Sequence, residues 1–169
     1  YKRQVIQIDE PFLKDALSLK QSEYIMNLSN MTNLVNHCYK HLKNETQIHL
    51  HMEYENLSDI SDDLHLLDAD VLLIDAFRSK MYILESFVGH KYDGDIGLGL
   101  FDPHSLYIPS DVELYNNIKR INRTFDIDRI WLCHDSNLKY QKWNNLNTFF
   151  ANLNKAAEDI KAKIHKDKV

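Results

Sequence analysis

Short apolar runs alternate with longer stretches of helical period along this chain, and the alternation is the feature that most restricts its fold. Runs typical of buried strands occupy residues 5–8, 47–52, 71–74, 96–101 and 129–133. Between and after them, apolar residues recur at helical spacing over residues 23–42, 57–67, 81–87, 112–121 and 143–164. Repeated βα units give parallel strands joined by right-handed crossovers. The sequence therefore predicts an α/β protein with about five βα units, as an open doubly wound sheet or as part of a (βα)8 barrel.

The composition is that of one globular domain. The chain has 169 residues, 44% of them hydrophobic and 27% charged, which is enough for one real core. We find no linker, so residues 1–169 are treated as a single domain. The net charge is -5 and the basic residues are scattered, which argues against nucleic acid as the main partner. No apolar run is long enough to span a bilayer and the two cysteines show no paired spacing, so we expect no membrane partner and a cytoplasmic location.

Polar side chains stand at or just after the ends of the predicted strands. Because carboxyl ends of parallel strands meet at one edge of the sheet, five strands with polar ends favour the mouth of a barrel. Imidazole, carboxylate and hydroxyl groups together are typical of a metal or proton-transfer site, although carboxylates and hydroxyls suit harder ions than zinc. The residues in question are Asp9, His51, Glu53, Asp75, His104 and Ser136.

A series of motifs in one order covers nearly the whole chain. They are QIDEP at 7–11, HLHM at 49–52, LDADV at 67–71, LESF at 84–87, IGLG at 96–99, DPHS at 102–105 and DSNLK at 135–139. In these motifs the chain resembles the C-terminal catalytic barrel of cobalamin-independent methionine synthase, a family that transfers a methyl group from methyltetrahydrofolate to homocysteine. The resemblance implies a partial TIM barrel, these two substrates as partners, and zinc as a cofactor.

At the zinc site that the resemblance implies, this chain departs from the family. The family holds zinc with a His, a Cys two residues later, a Glu at the end of the next strand and a Cys in a later DCGLK stretch. The matching metal positions here are His51, Glu53, Asp75 and Ser136. A neutral hydroxyl replaces a thiolate poorly, so zinc affinity is expected to fall and a harder ion, or none, is favoured. Cys133 is a substitute ligand or, alternatively, a buried structural thiol.

The resemblance also implies a proton donor and substrate contacts. His104 matches the family's proton donor, an imidazole that exchanges protons near neutral pH. Asp9 matches a residue that contacts the amino acid substrate, where a carboxylate pairs with an ammonium group. Asp15 stands where the family uses a Glu to contact folate. The structural alternatives are that Asp9 caps the loop after its strand and that His104 is a turn residue beside Pro103.

The chain is short for a complete barrel. Eight βα units need about 250 residues, and five are predicted here. We therefore expect a missing barrel half on the same polypeptide, or else a homodimer that pairs edge to edge or a rearranged open sheet. The expected function is a methionine-synthase-like methyltransferase domain that is impaired in this chain alone. The alternatives are a degenerate relative serving binding or assembly, and a methyltransferase with a different acceptor and metal.

Overall fold

The computed structural model describes residues 4–9, 46–52, 67, 69–88 and 92–167, with isolated residues between 23 and 37. Two short 3-10 turns, Ile127–Arg129 and Leu138–Tyr140, flank the last strand. The regular elements in chain order are β1 (Val5–Asp9), β2 (Gln47–Met52), β3 (Val71–Ile74), α1 (Ile83–Ser86), β4 (Asp95–Gly99), α2 (Asp111–Ile121), β5 (Ile130–Cys133) and α3 (Trp143–Asp167).

The five strands form one parallel sheet in the order β1-β2-β3-β4-β5. Strands that lie side by side in chain order are the arrangement of consecutive units of a βα barrel, whereas a doubly wound sheet reverses direction at a switch point. The prediction of a partial barrel with five parallel strands is therefore confirmed, and the order within the described sheet is not rearranged.

The two faces of the sheet have different chemistry. On one face, register neighbours such as Leu50, Leu72 and Ile96 are fully buried in an apolar core shared with α2 and α3. On the other face, the ring of His49 packs edge-on against Trp131 with centroids 4.7 Å apart, and the Trp131 indole N–H donates to Asp95 Oδ2 at 2.9 Å. A sheet with one apolar face covered by helices fits the wall of a barrel.

The predicted helices are described to different extents. Helices α2 and α3 coincide closely with the predicted stretches 112–121 and 143–164. The isolated described residues between 23 and 37 are helical and exposed; they include Leu34, which the helical pattern predicts on the apolar face. Apart from Leu67, the predicted helix 57–67 lies outside the described residues. In the part of the chain that the structure describes, no helix is both long and apolar enough to cross a membrane.

Candidate functional site

The first two strands bring Asp9 and His51 together. They are register partners at the ends of β1 and β2, and His51 Nδ1 lies 3.2 Å from Asp9 Oδ1. The side-chain amide of Gln7 donates to the same Asp9 oxygen at 2.7 Å. His51 is buried, whereas the Asp9 side chain is 60% exposed. A carboxylate on Nδ1 favours the imidazole tautomer in which the other ring nitrogen carries the lone pair, as in histidines that bind metals.

Beyond the ends of β3 and β5, the carboxyls of Asp75 and Asp135 form a buried pair. Burial, and then the hydrogen bond to Asp75 and its negative charge, raise the pKa of Asp135 to about 9. Asp135 therefore keeps its proton at neutral pH. Among the described residues, Oδ2 of each carboxyl is buried without a hydrogen-bond partner.

A glycine of β4 makes room for this pair. A Cβ atom added at Gly99 would collide with the carboxylate of Asp135. Asp135 Oδ1 also accepts a long hydrogen bond from the backbone N–H of Phe77, at 3.4 Å. The sequence reasoning gave Asp135 no role, although its place in the DSNLK motif and the glycine in the facing strand were signals that could have indicated one.

Arg78 connects Asp75 to the loop that carries His104. Its guanidinium makes two 3.2 Å hydrogen bonds to the carboxylate of Asp102, and Nε lies 3.9 Å from Asp75 Oδ2. Asp102 Oδ1 in turn accepts the backbone N–H of His104 at 2.8 Å. His104 is exposed, with its ring 5.1 Å from that of Tyr140. Arg78 is thus a second residue of the site to which sequence reasoning gave no role.

An open cleft of about 480 Å³ lies against the Arg78–Asp102 ion pair. Lys80, Tyr107 and Glu113 also line it, and the Tyr107 hydroxyl donates to Glu113. That hydrogen bond is the main reason why the pKa of Glu113 falls below its ordinary value and the pKa of Tyr107 rises. The cleft therefore offers cations and carboxylates side by side next to the His104 loop.

The last strand ends at Cys133 and the loop after it carries Ser136; neither side chain can act as a thiolate ligand. Ser136 is fully buried, and its hydroxyl has no hydrogen-bond partner among the described residues. Cys133 is the register partner of Gly99. Burial, with the charges of Asp135 and Asp75, raises the pKa of its thiol far above the ordinary range, so the thiol stays neutral.

The donor set does not fit a zinc centre that activates a thiol. In the chain as far as it is described, no three His, Cys, Asp or Glu side chains are grouped so that they could hold a metal. The described positions offer an imidazole, a carboxyl and a neutral hydroxyl, where zinc of this kind needs thiolates. Glu53 and Asp15 lie outside the described residues. The metal assignment of His51, Glu53, Asp75 and Ser136 stays a prediction.

Comparison with known proteins agrees with the sequence resemblance and the fold. Residues 3–159 match the family model "Cobalamin-independent synthase, Catalytic domain". Curated relatives named 5-methyltetrahydropteroyltriglutamate-homocysteine methyltransferase include one from Buchnera aphidicola, 37% identical over 96% of this chain. Another, from Listeria monocytogenes, is 36% identical over 94% of the chain. The chain spans about a fifth of the length of these relatives, 22% and 21% respectively.

Solved structures share the fold. A B12-independent methionine synthase from Shewanella, in complex with selenomethionine, superposes with a TM-score of 0.72 at 15% identity, over 96% of this chain and 50% of that one. A putative vitamin-B12 independent methionine synthase from Listeria monocytogenes gives a TM-score of 0.65 over 91% of this chain and 47% of its own. Because the family model matches residues 3–159 of this chain, the chain belongs to the cobalamin-independent methionine synthase catalytic-domain family.

Proposed function

We propose that this chain forms the C-terminal part of a barrel that transfers a methyl group from methyltetrahydrofolate to the thiol of homocysteine, with thiol activation weakened. The observation that carries the proposal is the pairing of Asp9 and His51, two positions of the family's site, at 3.2 Å on adjacent strand ends. Relatives named for this reaction are 36–37% identical to most of the chain.

In this proposal His104 is the general acid. The acceptor sulfur loses its proton to solvent and attacks as the thiolate. The methyl carbon forms a bond to this sulfur while its bond to the folate nitrogen breaks, and that nitrogen keeps the electron pair. An exposed imidazole on the loop after β4 gives the nitrogen a proton as the bond breaks. Such proton transfer contributes about 10²- to 10⁴-fold to a rate.

Asp9 is assigned to the amino acid substrate. One carboxylate oxygen is engaged by His51 and Gln7, yet the side chain is 60% exposed and accessible to an ammonium group. The same carboxylate therefore orients His51 and meets the substrate. Asp15 is assigned to folate, by its match to the family's Glu.

Weak thiol activation follows from the chemistry of three positions. Ser136 presents a hydroxyl instead of a thiolate, Cys133 is held neutral, and the carboxyl of Asp75 is on a side chain one methylene shorter than the family's Glu. Without a cation held by thiolates, the acceptor thiol of homocysteine keeps a higher pKa and a smaller thiolate fraction.

The proposed partner is the rest of the barrel on the same polypeptide, with a second copy of the chain as the alternative. Strands β1 and β5 are the two ends of the described sheet. On these strands Val5 is 43% exposed and Trp131 is 38% exposed. Apolar side chains on unpaired edge strands are usually covered by further strands.

A methyl-transfer assay tests the proposal. The full-length polypeptide and a variant with Glu53→Cys, Asp75→Glu and Ser136→Cys are incubated with zinc, methyltetrahydropteroyl triglutamate and homocysteine. We expect slow methionine formation by the wild type and faster formation by the variant. Adding His104→Gln should lower the variant's rate by about 10²-fold or more, whereas His37→Gln, on an exposed helical position, should not. Failure of both proteins to methylate homocysteine would contradict the proposal.

A binding or assembly protein is the second candidate. The changes at three of the four metal positions favour this candidate, because a site that does not have to catalyse a reaction tolerates such changes. In that case the restored variant would still not methylate homocysteine, and the wild type would bind neither substrate in calorimetry. Binding of either substrate by the wild type would argue against this candidate.

A further inference from the structure

The loop that carries His104 is partly held by its own residues. Asp102 accepts the His104 backbone N–H through Oδ1 at 2.8 Å, and its carbonyl accepts the Ser105 N–H at 3.0 Å. These two bonds lie within the loop and close its turn. The Asp102 side chain also links the loop to Arg78. Because His104 is exposed, the direction of its ring depends on how firmly the whole loop is held.

Gln141 holds the loop from outside, on both sides of His104. Its side-chain amide nitrogen donates to the carbonyl of Pro103 at 3.1 Å and to the carbonyl of Ser105 at 2.9 Å. Those carbonyls belong to the residues immediately before and after His104. One amide therefore uses both of its N–H groups on the two peptide units that flank the imidazole.

The other end of the Gln141 amide is anchored at the start of α3. Its Oε1 accepts the side-chain amide of Asn145 at 2.7 Å and the backbone N–H of Lys142 at 3.0 Å. All hydrogen-bonding positions of this half-buried amide are thus used, which leaves it one orientation.

Helix α3 is itself fixed to the strand that leads into the loop. Phe149 of α3 stacks on Phe101, with ring centroids 4.5 Å apart, and both rings are fully buried. Phe101 directly precedes Asp102. The helix, the segment after β4 and the His104 loop are therefore packed together. Gln141 is a polar contact between the start of the helix and the His104 loop.

We propose that Gln141 is a positioning residue that sets the direction of the His104 ring. The inference rests on the proposed function, in which His104 protonates the folate nitrogen, and it names a residue on which that step depends. A misplacement of about 1 Å at a reacting group can cost about 100-fold in rate.

The test uses the full-length polypeptide and two substitutions. Gln141→Glu keeps the size of the side chain but removes both N–H donors, and Gln141→Ala removes the side chain in case the new charge disturbs folding. Asn152→Asp is the matched control, because Asn152 makes a similar amide contact, at 2.9 Å, to the carbonyl of Pro109 on the same segment but away from His104.

The readouts are the imidazole NMR signals of His104, assigned by their loss in His104→Gln, and the kinetic constants for methyl transfer. The Tyr140 ring, 5.1 Å from that of His104, makes these signals sensitive to ring direction. We expect both Gln141 variants to move the His104 signals and to lower kcat by up to about 100-fold with little change in KM. The control should change neither.

Unchanged His104 signals in both folded Gln141 variants would overturn the inference even if methyl transfer is observed. The NMR result also separates this inference from the proposed function. If the His104 signals move but neither the wild type nor its metal-site variant methylates homocysteine, the positioning role stands and the proposed function fails.

Discussion

At the scale of single residues, Asp135 gives the clearest pH prediction. Its pKa is raised to about 9 in the fold, so the native state binds one proton more than the unfolded chain between the ordinary Asp pKa and about 9. Stability from this group is fully present below the unfolded pKa and is lost as pH rises through the folded one, by up to about 1.4 kcal/mol per pH unit.

Urea denaturation between about pH 5 and pH 9 measures that slope. Asp135→Asn keeps the size of the side chain and a donor for Asp75 without a titrating proton, so we expect a much flatter profile. Asp128→Asn, at an exposed position, controls for the loss of one carboxyl. Equal slopes in the wild type and Asp135→Asn would contradict the buried pair.

Gly99→Ala tests the same pair from the facing strand. The added Cβ would collide with the Asp135 carboxylate, and we expect a loss of about 1–3 kcal/mol in the free energy of unfolding. Combining it with Asp135→Ala should give less than the sum of the two single losses, since the collision is partly removed. Additive losses in this double-mutant cycle would show that the two residues do not meet.

A site residue could be predicted when its position depends on neighbouring residues in the sequence, and not when it depends on distant ones. Asp9, His51 and Asp75 were placed correctly at strand ends because an apolar run marks where each strand stops. The pairing of Asp75 with Asp135, and the space that Gly99 leaves for it, depend on the register of three strands. No local pattern carries that register, so the sequence can indicate that Asp135 stands near the strand ends but not that it pairs with Asp75.

At the scale of elements, strands were easier to predict than their last residues. The predicted runs 47–52 and 71–74 coincide with β2 and β3. Apolar residues alternate with polar ones in 47–52, and 71–74 is a continuous apolar run; both patterns are typical of strands. The run 96–101 extends two residues beyond β4, although the Leu100 N–H still donates to the carbonyl of Cys133 in β5 and the Phe101 carbonyl accepts the Asp135 N–H. Apolar character continues there because both side chains are buried.

The start of α2 yields a prediction at this scale. Ser110 and Glu113 form a capping box, in which Ser110 Oγ accepts the Glu113 N–H and Glu113 Oε2 accepts the Ser110 N–H at 2.9 Å. We expect Ser110→Ala to cost about 1 kcal/mol in thermal or urea unfolding. Thr148→Ala, within α3, is the control and should cost less. A Ser110→Ala variant as stable as the wild type would contradict the cap.

At the scale of the whole molecule, the two edge strands of the described sheet are expected to determine self-association. The 169-residue chain, produced alone, is expected to self-associate through β1 and β5, measured as a concentration-dependent sedimentation coefficient. Val5→Lys places a charge on β1 and should reduce the association. Val88→Lys, at an exposed valine outside the sheet, should not. Association that is equal in both variants would argue that β1 is not involved.

We propose that this family member has the family's barrel fold but lacks the ligands that hold zinc for thiol activation. Zinc content after purification, measured by mass spectrometry on the full-length polypeptide, tests it most directly. The wild type should carry zinc well below stoichiometric amounts, and the variant with Glu53→Cys, Asp75→Glu and Ser136→Cys should approach stoichiometry. Stoichiometric zinc in the wild type would contradict the account.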